Sequence, residues 1–184
     1  MADAEHEKRF SGELERLRAP ERVARLELAR VVDECLKGGA FASLLDVGTG
    51  TGLFAEAFAG RGLAVAGVDV NPAALAAARS FVPAGNFQEG TAEALPVPDA
   101  AIDLVFLGLV LHEADDPLQA LKEARRAARK RAAVLEWPYR AQAFGPPLAH
   151  RLDPVELEQR FHQAGFPHWT TIELEATVLY LLDV

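Results

Sequence analysis

Asp46-Val47-Gly48-Thr49-Gly50-Thr51-Gly52 follows an apolar run over residues 41–45 and precedes Leu53-Phe54-Ala55-Glu56-Ala57-Phe58-Ala59. The run reads as a buried strand and the later segment as the opening of a helix. A strand, a glycine-rich turn and a helix start form a nucleotide-binding device. Backbone N–H groups point out of the helix start, and glycines let a ligand approach the main chain. In a doubly wound sheet, ligands lie beyond the carboxyl ends of the strands, which is where the loop after the first strand emerges.

Outward from this loop, strands and helices alternate. The pattern predicts strands over 41–47, 63–70, 86–89, 102–107 and 132–136, with helices over 53–60, 72–80, 117–130 and 155–164. Asn71 before Pro72 and Asp115 or Asp116 ahead of Pro117 are candidate N-caps, and Asp153-Pro154 starts the last helix, each proline suiting a first helical turn. The last two strands, 170–175 and 177–183, are joined too tightly for a crossover and are expected to form an antiparallel hairpin. Residues 5–36 look helical, with a break at Ala19 before Pro20 and a glycine stop at Gly38-Gly39. The expected fold class is α/β. It has a Rossmann-like, doubly wound, mostly parallel sheet of seven strands, a C-terminal antiparallel hairpin and an N-terminal helical segment. One domain is expected over 1–184, divided into a helical arm (1–38) and a Rossmann-like core (41–184).

Composition narrows the function. Half of the 184 residues are hydrophobic and the formal net charge is −8, with no basic run. That argues against a nucleic-acid partner, because such proteins cluster Lys and Arg against phosphates. No apolar stretch approaches the roughly 20 residues of a membrane span. Cys35 is the sole cysteine, so no intrachain disulfide or cysteine metal site is expected, and no metal is assigned. The expected location is cytoplasmic.

Two ligand classes compete for the glycine loop. A dinucleotide site wants Gly-x-Gly-x-x-Gly. Counted from Gly48 the third glycine falls on Leu53; counted from Gly50 it falls on Ala55, an alanine the fingerprint sometimes takes, but Gly50-x-Gly52 then starts later in the turn. The sequence is instead Asp-x-Gly-x-Gly-x-Gly, which resembles the first motif of class I S-adenosylmethionine-dependent methyltransferases. Asp69, at the end of the second strand, can accept hydrogen bonds from both hydroxyls of a ribose. Charge-assisted bonds of this kind contribute roughly 1.5–3 kcal/mol each. NAD enzymes use an acid in the same place, and a surface Asp capping the Pro72 helix is the competing reading.

Further segments carry the resemblance. Gly90-Thr91-Ala92-Glu93-Ala94-Leu95-Pro96-Val97 resembles the Gly-Asp-Ala-Glu-x-Leu-Pro-Phe segment of the ubiquinone/menaquinone-type methyltransferases (methyltransferase domain type 11), with Thr91 where Asp is usual. Leu107-Gly108-Leu109-Val110-Leu111-His112-Glu113 resembles that family's fourth strand and the turn after it, and Val134-Leu135-Glu136-Trp137 its fifth strand. The resemblance implies S-adenosylmethionine as cofactor, with S-adenosylhomocysteine as product. It implies cofactor contacts from Asp46, Gly48, Thr49, Gly50, Thr51 and Gly52. It places Asp69 and Val70 at the ribose, Thr91, Ala92 and Glu93 at the adenine, and Leu107 and Gly108 at the methionine end.

Methyl transfer from a sulfonium is an in-line displacement that mainly needs orientation and exclusion of water, plus a base where the nucleophile carries a proton. His112 is the candidate base, since its ordinary pKa of about 6.5 fits the task. The competing reading is a histidine packing against the loop. Trp137 and Tyr139 are candidate substrate contacts beyond the fifth strand, or else aromatics capping the core. The N-terminal helix, with Phe10, Leu14 and Leu17, is a lid, a homodimer arm or a packed surface helix. The expected partner is a small-molecule methyl acceptor. The alternatives are an NAD-dependent oxidoreductase and a catalytically inactive S-adenosylmethionine-binding regulatory protein.

Overall fold

The computed structural model describes residues 13–184. The earlier part of the predicted N-terminal helix, Phe10 included, lies outside them. Seven strands form one sheet: β1 (Ser43–Val47), β2 (Ala64–Asp69), β3 (Asn86–Glu89), β4 (Ile102–Gly108), β5 (Ala128–Glu136), β6 (Trp169–Glu173) and β7 (Val178–Asp183). Their order is β3-β2-β1-β4-β5-β7-β6. The five strands β1 to β5 pair in parallel, while β7 runs antiparallel to both β5 and β6. The direction of chain travel reverses between β1 and β4, so a ligand crevice is expected at their carboxyl ends.

The helices are α1 (Pro20–Arg25), α2 (Leu28–Leu36), α3 (Leu53–Ala59), α4 (Pro72–Phe81), α5 (Pro117–Ala127) and α6 (Pro154–Gln163). Successive strand residues point to opposite faces, and the core divides accordingly. Leu44, Leu104, Phe106 and Leu135 pack with α2, α3 and α4, whereas Leu45, Val105, Leu107 and Val134 pack with α5 and α6. The Phe106 ring meets Phe54 at 4.7 Å and Phe58 at 5.4 Å, seating α3 on the sheet behind the glycine loop.

Three caps fix helix starts as the prolines suggested. Asn71 accepts from Ala73 and Ala74, Asp116 from Gln119, and Asp153 from Val155 and Glu156. Two predicted elements differ. The N-terminal helix is divided into a 3-10 turn (Leu14–Arg18), α1 and α2, because Glu27 takes a left-handed conformation (φ 47°) between the two helices. The helix predicted over 117–130 stops at Ala127, and residues 128–131 extend β5 instead. There Arg129 and Lys130 pair with the buried Asp103 on β4, and Arg131 pairs with Asp183. Tertiary ion pairs override local helix propensity at these positions.

Candidate active site

The strand carboxyl ends open on a cleft of about 880 Å³. Its floor is the turn after β1. Gly48 has φ +66°, and a Cβ there would lie 2.4 Å from Val110 Cγ2. Gly50 has φ +53°, and its N–H donates to Asp69 Oδ2 at 2.7 Å. Both positions therefore need a residue without a side chain. Gly52 plays a different part: a Cβ there would sit 3.1 Å from that of Ala78, so it lets α3 and α4 approach.

Asp69 Oδ1 also accepts from Asn71 N at 2.9 Å. A carboxylate offers about four lone-pair positions, and these two amides leave capacity for further donors. Thr51 borders the cleft, and its buried hydroxyl has no partner among the described residues.

The predicted site residues separate into groups. Gly48, Thr49, Gly50, Thr51, Asp69 and Val70 border the cleft, as do Thr91, Ala92, Glu93 and Gly108, together with His112 and Trp137. Asp46, Gly52 and Leu107 do not. Asp46 is buried behind the loop, where Oδ2 accepts the Thr49 hydroxyl at 2.8 Å. Burial pushes its carboxyl up to about 7, against the bonds from Thr49 and the Ala55 backbone, with repulsion from Asp69 adding to the rise. Glu93 Oε1 accepts Asp115 N at 2.8 Å and Asp116 N at 3.3 Å, tying the Thr91–Glu93 loop to the start of α5. Tyr139 borders a separate cleft of about 230 Å³ with Glu136, Arg140 and Tyr180.

His112 is held more firmly than its sequence position suggested. After β4 the chain passes through Leu109 at φ 60°, a conformation that costs roughly 1–3 kcal/mol in a non-glycine residue. Leu109 N donates to Leu135 O, and the short 3-10 turn Leu111–Glu113 follows. This delivers the His112 ring to Glu136, the last residue of β5. Nδ1 lies 2.8 Å from Oε2 and 3.1 Å from Oε1, while the His112 and Trp137 amides also donate to this carboxylate. Nδ1 is the donor, because the carboxylate can only accept, which leaves Nε2 as the basic nitrogen. Burial lowers the pKa of His112, but attraction and hydrogen bonding from Glu136 outweigh it, and the net direction is upward.

Sequence reasoning assigned no role to Glu136, although an acid closing the apolar run Val134-Leu135 is a visible anomaly. It also passed over Arg22, Arg25 and Arg151. Arg151 donates to the carbonyls of Pro138, Arg140, Phe144 and Pro146, and to Gln142 Oε1, shaping the loop after β5 into one wall of the cleft. The N-terminal segment forms the facing wall. Leu17 Cδ1 would lie 3.3 Å from a Cβ on Gly50, and Arg22 and Arg25 also border the cleft.

The sequence profile of the methyltransferase-domain family matches residues 45–135. A malonyl-[acyl-carrier protein] O-methyltransferase from Serratia marcescens is 38% identical over 92 residues, covering 50% of this chain and 36% of the relative. A demethylmenaquinone methyltransferase from Chlorobaculum tepidum is 35% identical over 106 residues, covering 57% and 44%. The crystal structure of an S-adenosylmethionine-dependent methyltransferase from Aquifex aeolicus superimposes with a TM-score of 0.82 at 22% identity, covering 93% of this chain and 96% of that one. Residues 45–135 carry the match to the methyltransferase-domain family, and the chain as a whole has the fold of that S-adenosylmethionine-dependent enzyme. It spans less than half the length of the two curated relatives. Family and fold imply S-adenosylmethionine as the cofactor. The residues present fit that group: a backbone cradle at Gly48 and Gly50 that a Cβ would fill, a partly used carboxylate at Asp69 and the unpartnered Thr51 hydroxyl all meet in one cleft.

Proposed function

We propose that this chain transfers a methyl group from S-adenosylmethionine to a small-molecule acceptor, and that acceptor and donor share the cleft. One observation carries the reading: a single cleft joins the glycine turn after β1, Asp69 at the end of β2 and His112 beyond β4. Asp69 holds the ribose, the loop carrying Thr91, Ala92 and Glu93 borders the adenine, and the backbone at Gly108 borders the methionine end. Asp46 and Gly52 act from behind, by fixing Thr49 and by allowing α3 to pack. Residues 41–184 form the core in this reading, and the N-terminal segment covers the cofactor. A cytoplasmic setting belongs to it too, supported by an acidic chain whose one thiol, Cys35, is free and buried.

When bound, the cofactor supplies an electrophilic methyl on a good leaving group. The work left to the chain is orientation, exclusion of water and removal of one proton. His112 Nε2 takes that proton from the acceptor's O–H or N–H as the nucleophile forms its bond to carbon. Glu136 keeps the ring in the tautomer with a free Nε2 and stabilises the imidazolium that results. Trp137, which packs against Phe144 with ring centroids 5.9 Å apart, borders the acceptor side.

Calorimetric titration with S-adenosylhomocysteine, followed by a broad acceptor screen for S-adenosylhomocysteine release, tests the reading. Micromolar binding and turnover with at least one acceptor are expected. Binding of NADH without S-adenosylhomocysteine binding would restore the oxidoreductase alternative. Cofactor binding without turnover of any acceptor would favour a regulatory protein.

A further inference from the structure

Two arginines on α1 border the same cleft, one helical turn apart. Arg22 donates through Nη1 to Leu17 O at 2.7 Å, and the Arg25 guanidinium lies 4.1 Å from the centre of the Phe144 ring. Among the described residues neither guanidinium has a carboxylate partner. Arg16 on the preceding turn borders the cleft as well, whereas Arg18, engaged by Glu56, does not. Arg22 instead feels burial and the repulsion of Arg25, both of which work against its charge. Two like charges brought together beside a cleft, with no carboxylate among the described residues in an ion pair with either, are an incomplete ion pair. Guanidinium groups complete such a site with a carboxylate, often through two parallel hydrogen bonds.

Position indicates whose carboxylate it is. Phe144 belongs to the loop that Arg151 shapes beyond β5, and it packs on Trp137. The glycine turn and Asp69 lie at the ends of β1 and β2, separated from β5 by β4. Building on the methyltransferase reading, we propose that Arg25, with Arg22 beside it, holds a carboxylate of the methyl acceptor. The acceptor is then a small organic acid whose planar or apolar body lies along Phe144 and Trp137. The carboxylate is a handle, and the atom methylated is a separate O–H or N–H group presented to His112. Glu21 and Glu113 also border the cleft, so an acceptor with a cationic group at this end is disfavoured by the arginines and one with a second distant amine is not.

The test titrates the full chain, loaded with S-adenosylhomocysteine, with benzoate, phenylacetate and cinnamate and with their primary amides. At least one acid is expected to bind about tenfold or more tighter than its amide. Arg25→Gln should weaken that acid by about tenfold, Arg25→Lys should recover only part of that loss because an ammonium cannot stack or bind through two parallel bonds, and neither should move S-adenosylhomocysteine affinity by more than about twofold. A thermal melt of each variant verifies the fold. Amides that bind as well as acids, or a panel in which no acid binds, overturns the proposal. So does loss of S-adenosylhomocysteine affinity in Arg25→Gln with unchanged affinity for 5′-methylthioadenosine, which lacks the amino-acid tail; the pair would then hold the donor's carboxylate. If wild-type protein fails to bind S-adenosylhomocysteine at all, it is the methyltransferase reading that fails.

Discussion

The Asp69 carboxylate accepts Gly50 N–H at 2.7 Å and Asn71 N–H at 2.9 Å, so it both shapes the turn after β1 and faces the ligand cleft. On the proposed assignment, removing it loses the ribose bonds and loosens the turn. Asp69→Ala is expected to weaken S-adenosylhomocysteine binding by more than about tenfold, or 1.4 kcal/mol. Unchanged affinity by calorimetry would remove Asp69 from the ribose. His112 permits a prediction with a sign. A base must be unprotonated, so kcat/KM should fall as pH drops through the His112 pKa, with the acidic limb above the ordinary value of about 6.5. Glu136→Gln removes the charge that raises the pKa and leaves the burial that lowers it, so the limb should move to lower pH while the plateau rate drops. A pH profile identical to wild type would show that the pair is only structural. The same upward shift links to folding. The His112–Glu136 contact contributes stability that is complete below the unfolded imidazole pKa and is lost as pH rises through the folded value.

The segment from the Leu14–Arg18 turn to α1 owes its place over the cleft largely to one side chain. Arg18 Nη1 meets Glu56 Oε2 at 2.7 Å, Nη2 meets Thr51 O at 3.1 Å, and the guanidinium lies 3.5 Å from the centre of the Phe81 ring. Together these connect the segment to α3 and α4. Partly buried contacts of this kind are worth about 1–2 kcal/mol. Arg18→Ala should therefore speed amide exchange over 14–25 by roughly tenfold per 1.4 kcal/mol lost, and weaken S-adenosylhomocysteine binding several-fold. Unaltered exchange would mean that other contacts hold the cover. This element also marks a limit of what could be read from sequence. The strands, the glycine turn and the Asn71, Asp116 and Asp153 caps were legible because periodicity and capping act over a few residues. The break at Ala19 was legible too, but the second division of the N-terminal helix was not, because Glu27 is drawn from helical geometry by bonds to Glu175 N and Arg30. The end of α5 was misplaced for the same kind of reason, since Arg129 and Lys130 answer to Asp103. At the site, Asp69 and the Thr91–Glu93 loop stood out by order along the chain. Glu136 beside His112 and Arg25 over Phe144 are contacts between residues 24 and 119 positions apart, created only when the sheet forms.

Across the whole molecule, the cleft is bordered by groups far apart along the chain, from Leu14 to His150: the N-terminal segment, the loops after β1, β2, β3 and β4, and the Arg151-shaped loop after β5. A ligand that touches all of these binds the folded chain and has no counterpart site in the unfolded one, so binding adds to folding stability by mass action. At a hundredfold excess over Kd the gain is about 2.7 kcal/mol. For a chain of this size each kcal/mol raises Tm by about 2–4 °C, so saturating S-adenosylhomocysteine should raise it by roughly 5–10 °C. Scanning fluorimetry measures this directly, and NADH at the same concentration should leave Tm unchanged, because counted from Gly48 the third glycine of a pyrophosphate turn is replaced by Leu53. Asp69→Ala should lose about half or more of the S-adenosylhomocysteine shift, and its unliganded Tm should fall by a few degrees as the Gly50 and Asn71 amides lose their acceptor. A larger shift with NADH than with S-adenosylhomocysteine would reverse the cofactor assignment, since it would mean that the cleft is complementary to a dinucleotide.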